Sequence, residues 1–220
     1  MTPVAAADSA GHPEPAQSHA EEIANAVSHG AGLGGLVAAT PFLLAAAWRH
    51  GAIPVLGASL FAGSAMALYL ASMLYHAAPA ARKPFLRMVD HVAIYFLIAG
   101  TYSPFALVTL GGRLGWTVFG VVWVLAFSGL VFKVFARFRF PYVSTAMYVA
   151  MGWLALFIIR PLAAHMPAVG LGWMVAGGVF YTSGTLFYHR ETMRYSHLIW
   201  HLFVLMGTAC HFVAVLLYAT

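Results

Sequence analysis

Charge is scarce in this 220-residue chain: Asp, Glu, Lys and Arg make up 8% of it against 62% hydrophobic residues, and the mean hydropathy is +0.83. A soluble domain devotes about a quarter of its residues to charge, so the scarcity excludes a water-soluble fold. Acid is scarcer still, because Asp90 is the only carboxylate side chain between Glu22 and Glu191. The single cysteine, Cys210, rules out an internal disulfide, and its position in an apolar run assigns it to packing. Alternation of polar and apolar residues over about ten-residue segments is also missing, which excludes a membrane barrel. Residues 1–28 contain no Lys or Arg and so lack the basic start of a secretory signal. They read as a mostly disordered tail with the approach to a first helix, and that helix serves as its own insertion signal.

What is present is long apolar runs. A helix needs roughly 20 apolar residues to cross a hydrocarbon core of about 30 Å. Stretches of that size lie near Gly30–Trp48, Ile53–Tyr75, His91–Leu110, Gly115–Phe135, Tyr142–Ile159, Ala168–Tyr188 and His197–Tyr218. Backbone amides in lipid must bond within their own segment, so these runs predict an all-α, seven-helix membrane domain over residues 29–220. With the N-terminus inside, Arg82, Lys83, Arg87, Lys133, Arg137, Arg139, Arg190 and Arg194 fall on the inner side, leaving Arg49, Arg113 and Arg160 outside. Basic residues favour cytoplasmic loops, so the bias predicts an N-inside, C-outside protein. The formal charge of +5 is dispersed over these loops, a distribution that gives no reason to expect nucleic acid.

This topology gathers distant polar residues in one layer. His76 ends the second span, Asp90 and His91 open the third, His197 and His201 open the seventh, and Asn25 and His29 open the first. Residues i and i+4 share a helix face, so His197 and His201 can reach one cation. Three histidines with an open position suit a chemically active zinc, and His76 supplies the third nitrogen. In HExxH proteases the residue after the first His is a Glu base; here it is Leu198, so the base must come from another helix. Asp90 is the candidate, as acceptor for the metal's water, general base or outer-shell group, with direct ligation as the lesser choice. Ser72, one turn deeper than His76, is placed to orient water or an oxyanion, or to pack between helices and bond its own backbone. Iron held by two histidines and Asp90 is the secondary choice of metal. Pro104 predicts a bend in the third span. His211, about 15 Å beyond His201, is too deep to share its metal and is expected to bond across helices.

The segments EEIANAVSH (Glu21–His29), SMLYH (Ser72–His76), VDH (Val89–His91), GTYSP (Gly100–Pro104) and HLIWH (His197–His201), with His211, run in order across nearly the whole chain. Together they resemble the hemolysin III branch of the progestin and adipoQ receptor superfamily. The resemblance implies a seven-helix fold with a cytoplasmic N-terminus, zinc held by His76, His197 and His201, and Ser72 and Asp90 beside it. It also implies a bacterial inner membrane location. Adiponectin receptors of the superfamily are associated with ceramide hydrolysis and the bacterial branch with haemolysis, which leaves three expectations open. One is a zinc-dependent hydrolase of a lipid amide or ester, the second a non-enzymatic regulator or lipid sensor with structural zinc, and the third an oligomeric pore. Membrane lipids are the expected partners in all three.

Overall fold

A computed structural model describes residues 17–190 and 192–220, and those residues form helices and turns without a strand. Ser18 starts the first helix, α1 (His19–Trp48): its Oγ accepts the Glu21 N–H at 3.3 Å, and its own N–H donates to Glu21 Oε2 at 2.9 Å. This reciprocal capping box sets where the helix begins. Residues 19–28, assigned above to a tail, are thus the first turns of α1; residues 1–16 lie outside the described residues. Residues 19–28 are helical despite their polar composition because the cap and the tertiary bonds of Glu21 and Glu22 stabilise them.

Six rods follow: α2 (Ala52–Ala77), α3 (Lys83–Leu110), α4 (Gly112–Ala136), α5 (Pro141–His165), α6 (Ala168–Tyr188) and α7 (Ser196–Tyr218). All except α6 are, with α1, long and apolar enough to cross a membrane, six in total. The sixth rod has a span's length at 21 residues, but its sequence is diluted by glycine. Large apolar side chains such as Phe42, Trp48, Phe135 and Phe157 are exposed on the outside of the bundle, where lipid would cover them.

Two rods are irregular for identifiable reasons. In α3, Pro104 has no N–H to continue the ladder, and the chain widens into a π-helical turn over Phe105–Leu110. Gly57 of α2 faces that proline so closely that a Cβ would meet its backbone. In α5, the α-helix gives way to a 3-10 turn over Trp153–Ile158. Tyr102 of α3 compensates: its hydroxyl accepts the Ala155 N–H at 2.7 Å and donates to the Gly152 carbonyl at 2.6 Å. Backbone groups freed inside lipid need such partners.

Packing brings the site together indirectly. α2 lies between α1 and α3, α6 packs on α7, and α7 packs on α1, whereas α2 and α7 have little direct backbone contact. The two helices that carry the histidines therefore meet through α1. Three apolar clusters fill the bundle, one of which (Leu36, Leu68, Tyr69, Leu97 and Val204) adjoins the histidines.

Candidate metal centre

The structure brings His76, His197 and His201 together: one ring nitrogen from each lies within 4.8 Å of the others. The rings meet edge to face with centroids 4.7 to 5.1 Å apart, and His76 and His201 are buried while His197 is half-buried. Asp90 is not in this group.

Hydrogen bonds behind the rings decide which nitrogens face inward. His76 Nδ1 lies 2.8 Å from Glu22 Oε2 and donates to it, which leaves Nε2 as the lone-pair atom. That Nε2 is buried and has no hydrogen-bond partner among the described residues. A buried nitrogen without a partner is costly, and a cation would satisfy it. Glu22 also pairs with Lys83 Nζ, so the carboxylate is held from both sides. On α7, His201 Nδ1 lies 3.0 Å from Ser28 Oγ and 3.3 Å from the Asn25 carbonyl. Ser28 already donates to that same carbonyl, at 2.8 Å, so both neighbours act as acceptors and Nδ1 carries the proton. His201 Nε2 is then a lone-pair atom as well. Three imidazoles, two of them with the ring orientation fixed in this way, fit zinc, which prefers nitrogen ligands with bonded outer shells.

The other sequence-predicted residues separate into groups. Ser72 is fully buried with its Oγ 3.5 Å from His201 Nε2, beside the histidines rather than bonded only to its own helix. Asp90 is buried near the start of α3, and its Oδ2 lies 3.9 Å from His91 Nδ1. His91 belongs to another network: Nδ1 donates to the Arg87 carbonyl at 2.9 Å, and Nε2 accepts from the Tyr188 hydroxyl at 3.0 Å. Asn25 lies well inside α1, where its side chain donates to Gln17 Oε1 at 2.6 Å. His29 stacks on His201 with centroids 3.6 Å apart, and neither of its ring nitrogens has a hydrogen-bond partner among the described residues. Among the described residues His211 has no hydrogen bond across helices; its Nδ1 donates to the Gly207 carbonyl of its own helix at 2.8 Å.

Sequence reasoning missed Glu22. The signal was available, since Glu22, Asn25 and His29 are spaced by three and four and so share one face of a helix. The segment EEIANAVSH contains Glu22, but the sequence alone gives it no partner.

Below the histidines lies a cavity of ≈ 130 Å³ with a mainly apolar wall. His29 contributes to that wall, so the cavity meets the cluster where His29 stacks on His201. Leu156 of α5 and Val175 of α6 line it while also being exposed on the outside of the bundle. The cavity wall therefore reaches the lipid-facing surface at α5 and α6.

Residues 17–212 match the family described as haemolysin-III related. The chain is 44% identical over 201 residues to Hemolysin-3 of Bacillus cereus, covering 90% of this chain and 91% of that protein. It is 43% identical to the Hemolysin-3 homolog of Bacillus subtilis (strain 168), over 90% of this chain and 94% of that one. A more distant likeness, 27% over 157 residues, is to the monocyte to macrophage differentiation factor of Homo sapiens, covering 68% of this chain and 64% of the human one.

Proposed function

This chain belongs to the haemolysin-III related family of membrane proteins, and we propose that it is a zinc-dependent hydrolase of a lipid amide or ester, with seven spans and a cytoplasmic N-terminus. The observation that carries the reading is the inward-facing triad of His76, His197 and His201 above an apolar cavity whose wall reaches the lipid-facing surface. Three protein ligands with an open position are the pattern of chemically active zinc, whereas structural zinc takes four. When bound there, zinc supplies a Lewis acid that polarises a carbonyl and lowers the pKa of water toward about 7.

The remaining work falls to the chain. Glu22 and the Asn25 and Ser28 oxygens hold His76 and His201 in the ligand tautomer. Ser72, beside His201 Nε2, donates toward a developing oxyanion. Asp90 accepts the proton lost on attack, since the other carboxylates at this end, Glu21 and Glu22, are engaged by Tyr195 and by His76 and Lys83. A lipid reaches the histidines from the bilayer between α5 and α6, with its chain in the cavity. The eight basic residues gathered at the histidine end support a cytoplasmic location for that end, in a bacterial inner membrane.

The test is turnover of ceramide and related lipid amides and esters by purified protein, with metal analysis alongside. Expected are about one zinc per chain and a rate lost in His197→Ala and Asp90→Asn. A zinc-loaded protein that turns over none of them sinks the hydrolase. The name of the Bacillus cereus relative favours a second reading, an oligomeric pore. An apolar cavity inside a single chain is a poor water path, so such a pore would need several chains. Release of a trapped dye from liposomes at high protein density would favour it.

A further inference from the structure

Halfway down the cavity, α6 and α7 exchange large and small residues. The His211 ring of α7 lies against Gly177 of α6, and the Tyr181 ring of α6 lies against Gly207 of α7; a Cβ at either glycine would collide with the opposing ring. The two rings stack, with centroids 5.3 Å apart and planes 13° from parallel. His211 is 6% exposed and lines the cavity. Since its Nδ1–H is bonded to the Gly207 carbonyl, the opposite ring nitrogen, Nε2, projects away from the α7 backbone as a lone-pair acceptor. No hydrogen bond reaches it from the described residues.

The hydroxyls around it have already committed their protons. Thr208 donates to the Val204 carbonyl at 3.0 Å, so Tyr181 donates to Thr208 across their 2.8 Å contact. Thr101 donates to the Leu97 carbonyl at 2.8 Å, and Thr182 donates to the Gly178 carbonyl at 2.8 Å while accepting Trp153 Nε1–H at 2.9 Å. Thr101, Tyr181, Thr182 and His211 all line the cavity. The middle of an apolar cavity thus carries a girdle of acceptors with no proton to offer. Such a girdle repels a carboxylate or phosphate and is satisfied by a neutral donor.

We propose that the His211 girdle is a hydroxyl-binding subsite, which selects lipid chains bearing a hydroxyl group some way along their length. It rests on the reading of the cavity as a lipid-chain site. His211 lies ten residues beyond His201, about 15 Å along the helix, so an extended chain anchored at the histidine cluster brings its middle carbons to the girdle. The hydroxyl donates to His211 Nε2 and replaces a bond otherwise missing inside lipid.

The test uses purified full-length protein loaded with the fluorescent fatty acid cis-parinaric acid, displaced by either stearate or 12-hydroxystearate. Wild type is expected to prefer the hydroxylated acid by roughly tenfold, the worth of one hydrogen bond. His211→Leu should lose that preference and still bind stearate as well as wild type, which also shows that it is folded. His211→Gln, whose amide oxygen can accept in place of Nε2, should restore part of the preference. If both acids displace the probe equally from wild type, or His211→Leu keeps the preference, the subsite is wrong while the lipid cavity stands. If neither acid displaces the probe, or the probe does not bind, the lipid cavity fails and the subsite with it.

Discussion

At one end of the bundle Leu43, Phe61, Phe105, Leu162 and Val215 pack in an all-hydrophobic cluster, whereas at the other Asn25, His29, Ser72, His76 and His201 are buried among helices of the same apolar kind. The first end is held by close contact, which in lipid depends on fit because the surroundings are as apolar as the core. The second is held by directional bonds from α1: Glu22 to His76 and Lys83, Ser28 and the Asn25 carbonyl to His201, and Glu21 to the Tyr195 N–H at 2.8 Å. Side-chain packing can tolerate small shifts, but the proposed ligand triad cannot, and directional bonds to distant elements are what fix its rings. The comparison predicts that mutations at the two ends separate stability from metal binding.

The largest effect is expected at a proposed ligand. His76→Ala removes one of three nitrogens and should abolish stoichiometric zinc, read by elemental analysis of the purified variant, while the fold persists in far-ultraviolet circular dichroism. A variant that still holds one zinc per chain would move the site elsewhere. Next in size is Phe61→Ala at the opposite end. It leaves a cavity in a fully buried cluster and should destabilise the protein by about 2–3 kcal/mol, a little below the usual range because the unfolded helix stays in lipid. Zinc affinity should be unchanged. Thermal unfolding in detergent and a chelator competition check the two halves; a coupled loss of affinity would break the contrast between the ends.

A smaller effect, confined to the polar end, follows from Glu22. Loss of an outer-shell acceptor commonly lowers metal affinity 10–100-fold, and Glu22→Ala should do so through His76. Glu22→Gln keeps an acceptor oxygen near His76 Nδ1 and should fall between the variant and wild type. Chelator competition separates the three, and equal affinities would show that His76 needs no support from α1.

The histidine pair and Ser72–His76 were legible in the sequence because each sits at a fixed helical spacing, and the apolar runs placed their ends in one layer. The ring tautomers were not, since they depend on Glu22 and Ser28, which lie far from His76 and His201 in the chain. Pro104 announced a bend but not its form, a π turn opposite Gly57. The 3-10 turn in α5 left no local signature at all, because the group that stabilises it, Tyr102, belongs to α3. Cys210, read as a packing residue, is buried. What could be read was periodic or composed of long runs; what could not was a single side chain meeting a distant backbone.

The smallest predicted effect asks whether the polar end depends on the start of α1 as a helix or only on its individual carboxylates. Ser18 caps α1, and Glu21 answers it while also accepting the Tyr195 N–H at the start of α7. Ser18→Ala removes the cap and should weaken the first turn by about 1 kcal/mol. Glu21 keeps its bond to Tyr195, and Glu22 is fixed by two partners of its own, so zinc affinity should change less than twofold. Hydrogen exchange should quicken at the first amides of α1 and stay as in wild type around Leu43. If Ser18→Ala instead lowers zinc affinity as far as Glu22→Ala does, the cap and the ligands form one cooperative unit. The polar end would then be set by the folding of the α1 terminus, in a way the apolar end is not.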